Sequence, residues 1–221
     1  MGTSTPRQPG LDTLYQRYLN HEDSASFISA VASSYTIGTL ERLAEFGQRT
    51  SRRAATMALG FLGDYRSNDV MGRRLSDEDR GVRMLAENSI RELWYRDGNE
   101  TQRQMLQVVI RLNNAEQSTP AATRLASELI DEAPDFAEAW NQRAIAHFQL
   151  GRFDDSASDC FQTLELNPYQ FASAVGMGQC YLEMNEPQPA LDCFRRALKV
   201  NPCLEDVRAQ VAYLERALEG R

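Results

Sequence analysis

A 34-residue pattern written twice between residues 137 and 204, a looser 31-residue echo upstream, and apolar residues at helical spacing nearly throughout predict an all-α fold. Such repeats describe a right-handed superhelix, a solenoid of stacked helical hairpins. Ala137 to Gln170 and Phe171 to Leu204 align without a gap. Gly151 falls on Asn185, Ser156 on Ala190, Cys160 on Phe194, Thr163 on Ala197, and Asn167-Pro168 on Asn201-Pro202.

Charge narrows the partners. The net charge is −7, and it is unevenly placed: residues 36–100 hold 11 basic and 11 acidic side chains, residues 101–221 hold 11 and 17. An acidic C-terminal half repels nucleic acid and anionic lipid alike. No apolar run reaches the roughly 18 residues of a membrane span, and the first ten residues lack the apolar core of a secretion signal. Cys160, Cys180, Cys193 and Cys203 show no CxxC spacing, which favours reduced, packed thiols. A soluble, cytoplasmic protein is expected, and Lys199 as the sole lysine hints at an arginine-favouring, bacterial source.

Taken in order, residues 1–10 carry Pro6, Pro9 and Gly10 among small polar residues, too little apolar surface to repay ordering, and are expected to form a disordered tail. Residues 11–100 follow as N-terminal helices. Leu11, Leu14, Tyr15, Tyr18 and Leu19 form one helical stripe, and Asp23 or Ser24 can cap a second helix carrying Phe27, Ile28 and Val31. His21, in the connection, reads as solvated. Shifted by 31 residues, Arg52 falls on Arg83, Ala55 on Ala86, Ala58 on Ser89, Leu59 on Ile90 and Leu62 on Leu93. Shorter apolar segments, Leu40 to Phe46 and Val70 to Leu75, precede each copy, so the unit is a helical hairpin.

Residues 101–136 hold two helices around Ser118-Thr119-Pro120. Pro134 stands 34 residues before Pro168, which makes this stretch a degenerate copy of the unit that follows. In residues 137–204 each hairpin breaks at Gly151 or Asn185 and closes at an Asn-Pro pair. Pro187 and Pro189 fit only in or before a first helical turn. Residues 205–221 continue as a capping helix with Val207, Val211, Leu214 and Leu218 on one face.

The places held by Trp140, Arg143, Ala144, His147, Ser156, Cys160, Thr163 and Pro168, and by Ala174, Met177, Gly178, Tyr181, Ala190, Phe194, Ala197 and Pro202, resemble the tetratricopeptide repeat pattern. The stretch Arg52 to Asp64, with Asp79-Arg80-Gly81-Val82-Arg83 and Gly63-Asp64, resembles the HEAT repeat. The first resemblance implies a concave wall lined by the first helix of each unit. The position-matched residues are Asn141, Ile145, Phe148 and Gln149, then Val175, Gln179, Leu182 and Glu183. Phe148 and Leu182 fit a core between helices equally well. Relatives that grip a chaperone C-terminal carboxylate use a lysine and asparagines on these helices, and Asn141 alone matches that set, so no chaperone cofactor is predicted.

No GxxxxGK[ST], GxGxxG, GxSxG or HExxH occurs, and there are two histidines. His147 sits where the repeat pattern puts an aromatic and reads as packed. Asp154-Asp155 and Asp131-Glu132 read as helix starts and solvated turns. The expected function is therefore a non-catalytic scaffold for a protein or peptide partner, without cofactor or metal. Two alternatives stand beside it: a nucleic-acid surface built from Arg49, Arg52, Arg53, Arg73, Arg74, Arg80 and Arg83, and an accessory subunit of a HEAT-like lyase. Interleaved acids favour an ion-paired face over the first.

Overall fold

The computed structural model describes residues 10–115 and 119–220, and all secondary structure among them is helical. The tail expected over residues 1–9, Ser118 ahead of a helix start, and Arg221 of the expected capping segment lie outside the described residues. Two compact units are present, one ending at Leu93 and one beginning at Trp94.

In the first unit, α1 (Leu11–His21) and α2 (Ser24–Ser34) form a short pair. Asp23 caps α2 by accepting the Ser26 amide at 3.0 Å, which satisfies a donor that the helix itself leaves open. α3 (Ile37–Phe46), capped by Thr36 through the Thr39 amide, packs on α4 (Arg49–Leu62). A 3-10 turn (Tyr65–Ser67) leads to α5 (Asn68–Arg74), and α6 (Arg80–Trp94) follows. Helices α4 and α6 begin 31 residues apart, the offset of the sequence echo.

Helix α4 is buried without interruption from Ala54 to Gly60. Its amphipathic stripe predicts only one covered face. Small side chains at Ala54, Ala55, Ala58 and Gly60 let neighbours close in on more than one side, Ser89 of α6 coming against Gly60. Leu62, expected to fill space between layers, stays half-exposed, while Leu59, Ile90 and Leu93 are fully buried.

The second unit continues with α7 (Glu100–Asn113) and α8 (Thr119–Glu132), α9 (Ala137–Gln149) and α10 (Phe153–Leu166), α11 (Phe171–Glu183) and α12 (Pro187–Val200), then α13 (Glu205–Glu219). Each consecutive pair is a packed hairpin, and each hairpin packs on the next. Asn99 and Gln102 start α7 with reciprocal side-chain to backbone bonds. Gly151 breaks α9 from α10 at φ +70°, and Asn185 takes the same left-handed conformation, φ +61°, at the matching break. The repeated Asn-Pro pairs act through the asparagine: buried Asn167 accepts the Tyr169 amide at 3.1 Å, and buried Asn201 accepts the Cys203 amide at 3.0 Å. Each side chain folds a tight turn that aims the next hairpin.

Candidate functional site

The first helices of the hairpins, α7, α9 and α11, touch in succession and form one wall. On it Ile145 is 38% exposed, and Gln149, Gln179 and Glu183 are also exposed. Phe148 is half-buried, its ring edge-on to Phe153 of α10 with centroids 5.3 Å apart. Val175 and Leu182 are half-buried against the core of the last two hairpins. Gln149 also works within the fold: its amide nitrogen donates to the Asn113 carbonyl at 3.1 Å and its oxygen accepts from Thr119 at 3.1 Å.

Asn141 is only 9% exposed and is held on both sides. Its amide nitrogen donates to Glu138 at 2.9 Å, and its oxygen accepts from Ser173 of α11 at 2.7 Å. Glu138 is the hub of this buried cluster: it also accepts from Gln142 at 2.8 Å and from Gln170 at 2.6 Å. Gln142 in turn receives Asn113, from the end of α7, at 2.9 Å. Three successive hairpins are thus joined by a polar chain whose hydrogen bonds offset part of the desolvation cost of burying these groups, the Asn113 side-chain oxygen alone among the named links having no partner within the described residues.

Helix α7 contributes residues that were not singled out from the sequence. Gln104, Gln107, Val108 and Arg111 line a shallow depression with Glu100 and Arg103. The 34-residue phase contains the signal that finds them: Gln107, Asn141 and Val175 are in register, as are Arg111, Ile145 and Gln179. All three members of the second row are exposed.

Behind the wall, Arg143 of α9 occupies a position where the repeat pattern carries leucine. Its Nε and Nη2 donate to the two oxygens of Asp159 on α10, each at 2.8 Å. Nη1 donates to Ser127 at 3.0 Å, and the guanidinium lies 4.8 Å from the Trp140 ring centroid. His147 is buried beside this pair, 3.8 Å from Asp159. Burial pushes its pKa down, against the pull of Asp159 and Asp155. His147 is thus a packed side chain, and His21, at the end of α1, is exposed.

Four arginines of the expected basic stripe, Arg52, Arg53, Arg73 and Arg74, are engaged by carboxylates. Arg52 donates to Asp77 at 3.1 Å and Glu78 at 2.8 Å, Arg74 donates to Asp77 at 3.0 Å, and Arg73 pairs with Glu45. Arg53 grips Asp79 with both Nε, at 2.7 Å, and Nη2, at 2.8 Å. Asp79 also accepts the Val82 amide at the start of α6. These pairs neutralise four of the seven arginines that nucleic-acid binding would need free, and Arg83 is turned onto the backbone carbonyls of Asp77 and Glu78.

The four cysteines form no disulfide, Cys160 and Cys180 being buried and Cys193 and Cys203 partly so. Burial raises the pKa of Cys160 and Cys180 and pushes Cys193 up to about 11, so all three are held protonated. Among the described residues no group of three or more His, Cys, Asp or Glu side chains converges on a metal position, and no helix is long and apolar enough to cross a membrane.

With this geometry in view, the tetratricopeptide repeat family model matches residues 137–170 and 175–202. These two segments are tetratricopeptide repeats. The chain is 31% identical over 133 residues to a TPR repeat-containing protein of Rhizobium etli, which covers 60% of this chain and 65% of that protein. It is 28% identical over 109 residues to Hsp70-Hsp90 organizing protein 1 of Glycine max, 48% of this chain and 19% of that one. The chain thus spans less than two thirds of either relative. Among solved structures, the first TPR of Spaghetti (RPAP3), bound to an HSP90 peptide, superposes with a TM-score of 0.48 at 20% identity, over 52% of this chain and 94% of that one. In the tetratricopeptide frame, Arg143 and His147 replace a leucine and a tyrosine of the repeat pattern, and Asp159 supplies the countercharge that makes the replacement tolerable in a core.

Proposed function

We propose that the chain is a non-catalytic adaptor that binds an extended peptide or a partner helix along the wall of α7, α9 and α11. The observation that carries this reading is the exposed row Arg111, Ile145, Gln179, one residue from each of three adjacent first helices at a 34-residue interval. Neighbouring packed helices lie roughly 8–10 Å apart, so a segment crossing the row meets a cation, an aliphatic side chain and an amide in turn. Gln149, Glu183, and the exposed edges of Phe148, Val175 and Leu182 flank that path, while Asn141 supports it from beneath. Such a row favours a partner segment with an acidic residue near Arg111 and an apolar one near Ile145. The Glycine max relative, named as organising two chaperones, supports a protein partner as the class and nothing narrower.

The hairpins of the first unit read in the same frame as HEAT-like spacers whose charges pair among themselves. Four cysteines outside any disulfide fit a reducing, cytoplasmic setting, and the arginine-rich, lysine-poor composition fits a bacterial source.

Panning a random peptide library against the full chain tests the reading. Enriched peptides should bind the wild type and weaken by about tenfold or more towards an Ile145→Glu, Gln179→Glu variant of unchanged helicity. An Arg195→Glu variant, altered on the second helix of its hairpin, should bind as the wild type does. Failure to enrich any sequence, or equal binding to all three proteins, overturns the assignment.

A further inference from the structure

The same wall is already part-covered by a segment of the chain itself. Trp94, the last residue of α6, and residues 95–99, which join that helix to α7, reach the first turns of helices one and two hairpins further on. The buried Trp94 ring lies edge-on to Phe171, the first residue of α11, with centroids 5.8 Å apart at 62°. Tyr95 packs against the cluster of Leu106, Phe136 and Ala139. The Gly98 backbone approaches the Phe136 ring so closely that a Cβ there would come within 3.3 Å of it. The far end of the segment is pinned by Arg103, whose Nη1 donates to the Gly98 carbonyl at 2.6 Å.

This placement coincides with an uneven exposure of the wall. The first-turn residues beside Phe136 and Phe171 are closed off: Glu138 is 2% exposed, Gln170 0% and Ser173 1%. Residues one to two turns further along the same helices, Ile145 and Gln179, are open. A concave face of stacked hairpins otherwise presents both levels to solvent.

We propose that Trp94–Asn99 is a built-in occupant of the first-turn half of the wall, and that a partner segment bearing an aromatic residue competes with it for the slot against Phe171. The proposal rests on the peptide-binding reading above and adds a chemistry and a control to it. With the strap down, a partner reaches only the row of Arg111, Ile145 and Gln179. With it lifted, Phe171 and the amide-rich turn of Gln170 and Ser173 are available, and the ligand that suits them is the one already there: an aromatic side chain on a polar backbone. Because the occupant is tethered, it competes at high effective concentration, so the slot stays shut to weak ligands.

The probe is a fluorescently labelled hexapeptide copying residues 94–99, titrated by anisotropy into the wild-type chain and into a Trp94→Ala, Tyr95→Ala variant. Binding should be about tenfold or more tighter to the variant, whose slot is empty. Equal affinity for both proteins, or no binding to a variant of native helicity, overturns the proposal. If the variant does not fold, native-state hydrogen exchange of the wild type decides: amides of residues 95–99 exchanging well before those of α9 and α11 support a strap that lifts, and exchange in step with those helices overturns it. Library peptides that bind the wild type while the hexapeptide fails remove the strap and leave the adaptor reading standing.

Discussion

Arg143 and Asp159 face each other across the α9–α10 hairpin as a two-pronged ion pair, both bonds 2.8 Å, in a position where the repeat pattern places an apolar contact. Asp159 is almost fully buried, and the pair also tethers Ser127 of the preceding hairpin. Removing one partner strands the other charge away from water. Asp159→Ala should therefore destabilise the second unit by about 3 kcal/mol, read by urea denaturation. An Arg143→Leu, Asp159→Ala double variant should recover most of that loss, because it restores the apolar contact and leaves no orphaned charge. A single and a double variant of equal stability would show the pair to be incidental.

Gly178 of α11 meets the ring of Phe194 on α12 so closely that an added Cβ would lie 2.6 Å from it. Phe194 is fully buried. Helix propensity alone would make Gly178→Ala stabilising by about 1 kcal/mol; overpacking should reverse the sign, with a net cost of about 1–3 kcal/mol. Adding Phe194→Leu should relieve the clash, so that alanine at 178 costs less in that background than in the wild type. Thermal or chemical melts of the four combinations check both statements.

Asp79 is held at a pKa of about 2, first by the side-chain hydrogen bond from Arg53, assisted by the Val82 amide and the charges of Arg53 and Arg49, against a burial effect of opposite sign. A carboxylate with a folded pKa below its ordinary 3.8 favours the folded state above that value, and the contribution fades as pH falls towards 2. Melting temperatures of the wild type and Asp79→Asn should differ at pH 6 and converge between about pH 4 and pH 2. A constant gap across that interval would mean that the variant acts through packing rather than charge.

Much of the fold was legible because its signals are local. The 34- and 31-residue offsets, the Asp23 cap, the break at Gly151, the prolines of α12 and the capping stripe of α13 each depend on residues within a few turns of one another. The candidate site was legible only in part. Helical phase named Ile145, Gln149, Gln179 and Glu183, which are exposed, but the same phase could not show that Asn141 points into a bond with Ser173 or that Phe148 leans on Phe153. Those outcomes depend on partners 32 and 5 residues away whose distance in space no periodicity encodes.

By itself the sequence determined that the chain is helical, that its helices pair, and where the hairpins turn, since backbone preference and apolar spacing act along the chain. Tertiary structure alone decided which polar groups are satisfied and which surface is open. Glu138 and Gln170, from adjacent hairpins, are buried against each other, the Gln170 amide donating to the Glu138 carboxylate at 2.6 Å. Burial is a property of what comes to rest against a residue, and Trp94 stands 77 positions from the Phe171 ring it touches.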